Sequence, residues 1–158
     1  MERLLSVVQV IVQWWLTENN RLQVSVHAWE TCLTQIKAGA TAPRLTRQAG
    51  DFFKDKLPVC DAYLVMEVIH DWSDAESISI LQAIRRAAPS HARLLLIEEI
   101  VPDDPGPAWS KMLDIHMLAL IGGKQRTRRE YEALFDAAGL SFQREIDTGA
   151  GISILQAA

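Results

Sequence analysis

Apolar positions along the chain change period twice, and the changes divide it into parts. Leu4, Val8, Ile11 and Trp15 recur at spacings of four, three and four, with Leu5, Val12 and Leu16 widening the stripe. That rhythm predicts an amphipathic helix whose apolar face needs a partner. Val26, Trp29, Leu33 and Ile36 repeat it, so two N-terminal helices joined near Asn19-Asn20 are expected. From Pro43 onward compact apolar runs take over. Arg44 to Ala49, Ala62 to Ile69 and Arg93 to Val101 each lie between turn or cap signals and read as strands of a parallel sheet. Ser73-Asp74-Ala75-Glu76 is a capping box opening a helix to about Ala88, which makes the last two strands a βαβ unit. A further helix is predicted from Trp109 to Ile121, stopped by Gly122-Gly123. Another is capped by Thr127 and Glu130 and ends before Gly139. Ser141 to Asp147 and Gly151 to Gln156 read as a terminal hairpin.

The 158 residues, 49% hydrophobic, fit one α/β domain with a sizeable core. A net charge of −4 gives no electrostatic reason to expect nucleic acid or an anionic membrane. Leu4 to Leu16 is too short to span a bilayer and lacks a cleavage site, so a cytoplasmic protein is expected. Cys32 and Cys60 have no partner at metal-ligand spacing and read as reduced thiols, with no metal. Lys124, Arg126, Arg128 and Arg129 form a basic cluster on a loop and first helical turn, read as a solvated face.

The most chemically loaded stretch is Gly50-Asp51-Phe52-Phe53 followed, across an apolar strand, by His70-Asp71-Trp72. Both stand at ends of neighbouring strands, where open α/β sheets bind ligands. Taken alone, His70 reads as a strand cap and Asp51 as a turn opener. Four more blocks follow in order: Leu94-Leu95-Leu96-Ile97-Glu98, Asp114-Ile115-His116-Met117-Leu118, Gly122-Gly123-Lys124-Gln125-Arg126-Thr127 and Ala137-Ala138-Gly139-Leu140. Together the six blocks, from about Arg44 to Ala158, resemble the catalytic domain of the S-adenosylmethionine-dependent O-methyltransferases of caffeate, hydroxyindole and bacterial polyketide type.

The resemblance implies a partial Rossmann-like methyltransferase sheet with flanking helices and a C-terminal β-hairpin, preceded by the two N-terminal helices. It implies S-adenosyl-L-methionine as cofactor, a small-molecule hydroxyl acceptor and a homodimer. His70 takes the role of general base, Glu98 and Gln125 flank its ring, Asp51, Phe52 and Met66 fall at the cofactor, and Asp71 and Met117 at the acceptor. An imidazole near its ordinary value of ~6.5 is mostly neutral at physiological pH and suits a phenolic hydroxyl near ~10. Met66 and Met117 also fit plain core packing.

Two departures matter. Gln125 stands where many members carry a second glutamate, and an amide orients an imidazolium without offsetting its charge. No Asp-Val-Gly-Gly-Gly-type turn precedes Asp51, and Ala38-Gly39-Ala40 does not replace it. The sequence therefore reads as a helical leader over residues 1–42 and a catalytic-domain portion over residues 43–158. An enzyme completed by a partner chain and a truncated, non-catalytic remnant both fit that reading.

Overall fold

The computed structural model describes residues 24–28 and 45–158. The chain divides after Asp55 into two compact units. In the first, strand β1 (Val24–Ala28) pairs in parallel with β2 (Leu45–Ala49), Val24 opposite Leu45 and Ala28 opposite Ala49. This corrects the second predicted N-terminal helix over Val24–Ala28. Val24, Val26 and Ala28 also alternate with Ser25 and His27, and that period of two prevails locally over the helical spacing running on from Val26. The first predicted helix, and the remainder of the second from Trp29, lie outside the described residues.

The second unit holds a four-stranded sheet in the order β3-β4-β8-β7. β3 (Ala62–Met66) runs parallel to β4 (Arg93–Glu98), with Tyr63 opposite Leu94 and Met66 opposite Ile97. The predicted C-terminal hairpin, β7 (Phe142–Asp147) and β8 (Ser153–Ala157), joins antiparallel through β8 to β4. β5 (Ile100–Val101) and β6 (Arg126–Thr127) form a separate short parallel pair.

The helices begin and end where local chemistry places them. α1 (Asp74–Ala87) and α3 (Arg128–Ala138) both open on complete capping boxes, from Ser73 with Glu76 and from Thr127 with Glu130. α2 (Trp109–Ile121) stops at Gly122, whose φ of 71° is the left-handed C-cap that glycine adopts without strain. The core is built from Ile80, Leu81 and Ile84 of α1, Leu94 and Leu96 of β4, Tyr131, Leu134 and Phe135 of α3, and Leu155 of β8. α2 contrasts with this. Trp109, Met112, Ile115, Leu118 and Ile121, every third residue along it, are exposed, as is Leu120.

The strand predicted to run from Ala62 to Ile69 ends at Met66. Glu67 still donates its N–H to Ile97 O at 3.0 Å, but its φ is +50°. A non-glycine residue in the left-handed region costs of order 1 kcal/mol. The reversal feeds a 3-10 turn, Ile69–Asp71, and so lifts His70 off the sheet just beyond the end of β3. Among the described residues, no helix is long and apolar enough to cross a membrane.

Candidate active site

The 3-10 turn is held from three sides. Glu98, at the end of β4 and fully buried, accepts the N–H groups of Val68 and Ile69 on Oε1 at 3.1 and 2.9 Å. Lys124 donates its N–H to His70 O at 2.8 Å. Gly123 passes so close that a Cβ there would stand 2.2 Å from His70 O, so the turn and this loop fit only with glycine at that point.

The third support is Arg126, which the sequence reading placed on a solvated face. It is fully buried. Its guanidinium donates from Nη1 to Ile69 O and Lys124 O, both at 3.1 Å, and from Nη2 to Trp72 O at 2.8 Å. Nε and Nη2 grip Asp74 Oδ1 at 2.9 and 2.8 Å. The planar fork ties both ends of the histidine turn to the first residue of α1. Nothing in the local sequence marks this, because every partner except Lys124 lies about fifty residues away.

His70 is 4% exposed. Its Nδ1 lies 2.8 Å from Glu98 Oε2, and its Nε2 lies 3.3 Å from Asp71 Oδ1. With Oε1 committed to the backbone, Glu98 fixes the ring by its other oxygen, and Nδ1 must carry a proton. Gln125 is anchored by its own N–H, which donates to Asp114 Oδ1 at 2.8 Å, and brings its amide 3.3 Å from Nδ1. The amide nitrogen, Gln125 Nε2, is the atom nearest the ring, on the same side as the Glu98 carboxylate. His70, Glu98, Gln125 and Asp71 thus meet at one point.

The ring's charge differs from the sequence expectation. Burial draws the imidazole's pKa down, but hydrogen bonds to Asp71 and Glu98, and then their charges, outweigh it and push the value up to about 10. Without a bound acceptor His70 is therefore an imidazolium at neutral pH, where an unperturbed ring is mostly neutral. Two half-buried carboxyl groups nearby, Glu67 and Glu99, are raised chiefly by burial, with Glu98 adding to both and Glu67 to Glu99, and His70 pulls both the other way.

A pH dependence follows. The folded value lies above the unfolded ~6.5, so the stabilisation from His70 is complete below about pH 6.5 and is lost as pH climbs toward 10. The unfolding free energy from urea titration is expected to fall between pH 7 and 9.5, by at least about 1 kcal/mol, with His70→Gln flattening the trend. Parallel curves for the two proteins would show that the imidazolium adds nothing to stability.

The other expected site residues are placed separately. Met66 is buried at the end of β3. Met117 lies on α2, partly exposed, and its carbonyl receives the Gly123 N–H at 3.2 Å. Asp51 and Phe52 belong to the first unit. There Asp51 accepts the Phe53 N–H at 2.9 Å and pairs with Lys54 at 2.9 Å, and these contacts hold its carboxyl below the usual range. Among the described residues no cluster of His, Cys, Asp and Glu has a geometry to hold a metal ion, and Cys60 is a free thiol.

Comparison with known proteins adds a lineage to this geometry. The O-methyltransferase domain family matches residues 25–141. Phenazine O-methyltransferase of Lysobacter antibioticus is 36% identical over 131 residues, which cover 83% of this chain and 38% of that protein. Acetylserotonin O-methyltransferase of Bos taurus is 38% identical over 107 residues, 67% of this chain and 31% of the relative. Among solved structures, a methyltransferase of calicheamicin biosynthesis in its SAH-bound form superposes with a TM-score of 0.83 at 33% identity, covering 90% of this chain and 43% of the other. The chain therefore spans less than half the length of these relatives.

Proposed function

The chain belongs to the O-methyltransferase domain family, and from that premise we propose that it takes part in methyl transfer from S-adenosyl-L-methionine to a hydroxyl, phenolic or polyketide-like, of a small molecule. The observation that carries the reading is the pairing of His70 Nδ1 with the fully buried Glu98 carboxylate, which leaves Nε2 as the ring's working nitrogen. The cofactor, when bound, supplies an electrophilic methyl group on a sulfonium cation. A surplus of negative charge suits such a cation, and Glu67, Asp71, Glu98 and Glu99 gather it around the single imidazolium.

In this reading the working form is the fraction in which the His70 imidazolium has given up its Nε2 proton, and that neutral ring receives the acceptor's proton on Nε2 as the oxygen attacks. Glu98 orients the ring and stabilises its charged form, and Gln125 steadies it without adding charge. Asp71 and Met117 face the acceptor, and Asp51, Phe52 and Met66 serve the cofactor. A cytoplasmic homodimer completes the proposal.

A second reading, a non-catalytic remnant that keeps the fold, draws on a different observation. Asp51 is already engaged by Lys54 and by its own turn. Calorimetric titration of the full chain with S-adenosylhomocysteine separates the two. Saturable binding that Asp51→Ala weakens by about tenfold or more, the cost of one lost charge-assisted hydrogen bond, is expected for the enzyme. A folded chain that takes up none would leave the remnant reading.

A further inference from the structure

Each hydroxyl that is methylated releases one proton, and a base as buried as His70 has to pass that proton on before it works again. Nδ1 offers no way out, since it is tied to Glu98, which is fully buried. Gln125, on the same side of the ring, is neutral and cannot carry a proton. Nε2 has a different neighbour. Asp71 Oδ1 stands 3.3 Å from it, and while the His70 side chain is 5% exposed that of Asp71 is 42% exposed. Asp71 thus touches the buried nitrogen at one end of its range and water at the other.

The backbone around the pair has little freedom. Lys124 N–H holds His70 O, and a Cβ at Gly123 would lie 3.1 Å from Asp71 Cα as well as 2.2 Å from His70 O. Rotation of a partly exposed side chain such as that of Asp71 takes place in picoseconds to nanoseconds. Glu67, after β3, and Glu99, after β4, are the other carboxyl groups that sense the ring's charge. Among the described residues the ring nitrogens meet Glu98, Gln125 and Asp71, and neither of these two carboxyl groups.

We propose that Asp71 is the proton exit of His70, taking the proton from Nε2 and delivering it to solvent by side-chain rotation, so that the neutral working form of the imidazole is regained between transfers. The proton balance is simple. Nε2–H gives its proton to Asp71 Oδ1, the carboxyl group gives it to water, and Asp71 returns as a carboxylate with no change of oxidation state. The proposal rests on the reading that His70 collects the acceptor's proton, and Asp71 in this role acts on His70, not on the methyl group.

The test uses the full chain, labelled with nitrogen-15 histidine and free of ligand. The His70 resonance is assigned by its loss in His70→Gln, and exchange of Nε2–H with water is followed by NMR. Asp71→Asn keeps the shape and an oxygen against Nε2–H but cannot accept a proton. It is expected to slow exchange by about 10²-fold, the usual consequence of removing a positioned proton acceptor. Added formate should restore it, and Asp71→Glu should keep most of it. Exchange that is unchanged in Asp71→Asn, or slowed with no relief from formate, overturns the proposal. Because nothing is bound in this experiment, its failure is distinct from failure to bind S-adenosylhomocysteine, which bears on the enzyme reading alone.

Discussion

Arg126→Met is expected to destabilise the second unit by about 3–5 kcal/mol, the range for removing one member of a buried charged network. Methionine fills much the same volume, so the loss is polar. Three carbonyl groups, those of Ile69, Trp72 and Lys124, lose a charged donor in a place that water does not reach freely, and Ile69 O and Trp72 O keep only the longer contacts from Trp72 N–H and Ser77 Oγ. Each lost charge-assisted hydrogen bond costs of order 1 kcal/mol or more. Asp74 contributes less, because its side chain is 57% exposed and water can take over its charge. Arg126→Lys should recover only part of the loss, since a single ammonium cannot span Asp74 and three carbonyls at once. Set against a typical domain stability of about 5–15 kcal/mol, the methionine variant comes close to unfolding at room temperature. Urea titration of the wild type and both variants by circular dichroism measures the series. A difference below about 1 kcal/mol for Arg126→Met would mean that the fork organises the turn without holding the fold.

His70→Ala is expected to lower methyl transfer by about 10²–10⁴-fold in any preparation that turns over a phenolic acceptor, the usual contribution of a positioned base. Affinity for S-adenosylhomocysteine should stay within a factor of two, because the imidazole is proposed to serve the acceptor. Glu98→Gln tests the same machinery from behind. It keeps an acceptor for the Val68 and Ile69 N–H groups but removes the negative charge 2.8 Å from Nδ1. The imidazolium loses its buried counter-charge, so the ring's pKa falls and the alkaline loss of stability moves to lower pH. Single-turnover assays with radiolabelled methyl donor report the first effect and NMR titration of the ring the second. Turnover that survives His70→Ala intact would remove the base from the mechanism and leave the site to work by orientation alone.

What the sequence disclosed is largely what is encoded locally. Ser73 with Glu76, Thr127 with Glu130, and Gly122 after Ile121 are signals contained within a few residues, and helices begin or end at each. The C-terminal hairpin was legible for the same reason. The convergence of His70, Glu98 and Gln125 came through the family resemblance, and the structure brings Glu98 and Gln125 to the His70 ring. Two things were hidden by competition or distance. At Val24–Ala28 a helical spacing and a strand alternation overlap, and pairing with Leu45–Ala49, about twenty residues on, decides between them. At Arg126, exposure is the ordinary expectation for arginine, and only partners about fifty residues away convert it into a buried tie. The charge of His70 belongs to the same class: no window of sequence contains both Asp71 and Glu98 in contact with one ring.

The exposed row on α2, Trp109, Met112, Ile115, Leu118 and Ile121, has a practical consequence for how the protein reports on itself. A continuous apolar stripe on a folded helix attracts environment-sensitive dyes such as ANS as readily as a loosened core does. Native protein should therefore fluoresce brightly with the dye, adsorb to air–water interfaces, and be recovered in better yield with a little mild detergent. Dye brightness in the Arg126 variants is meaningful only as a change from that lit baseline, and replacing Leu118 and Ile121 with glutamate should darken it without moving the urea midpoint.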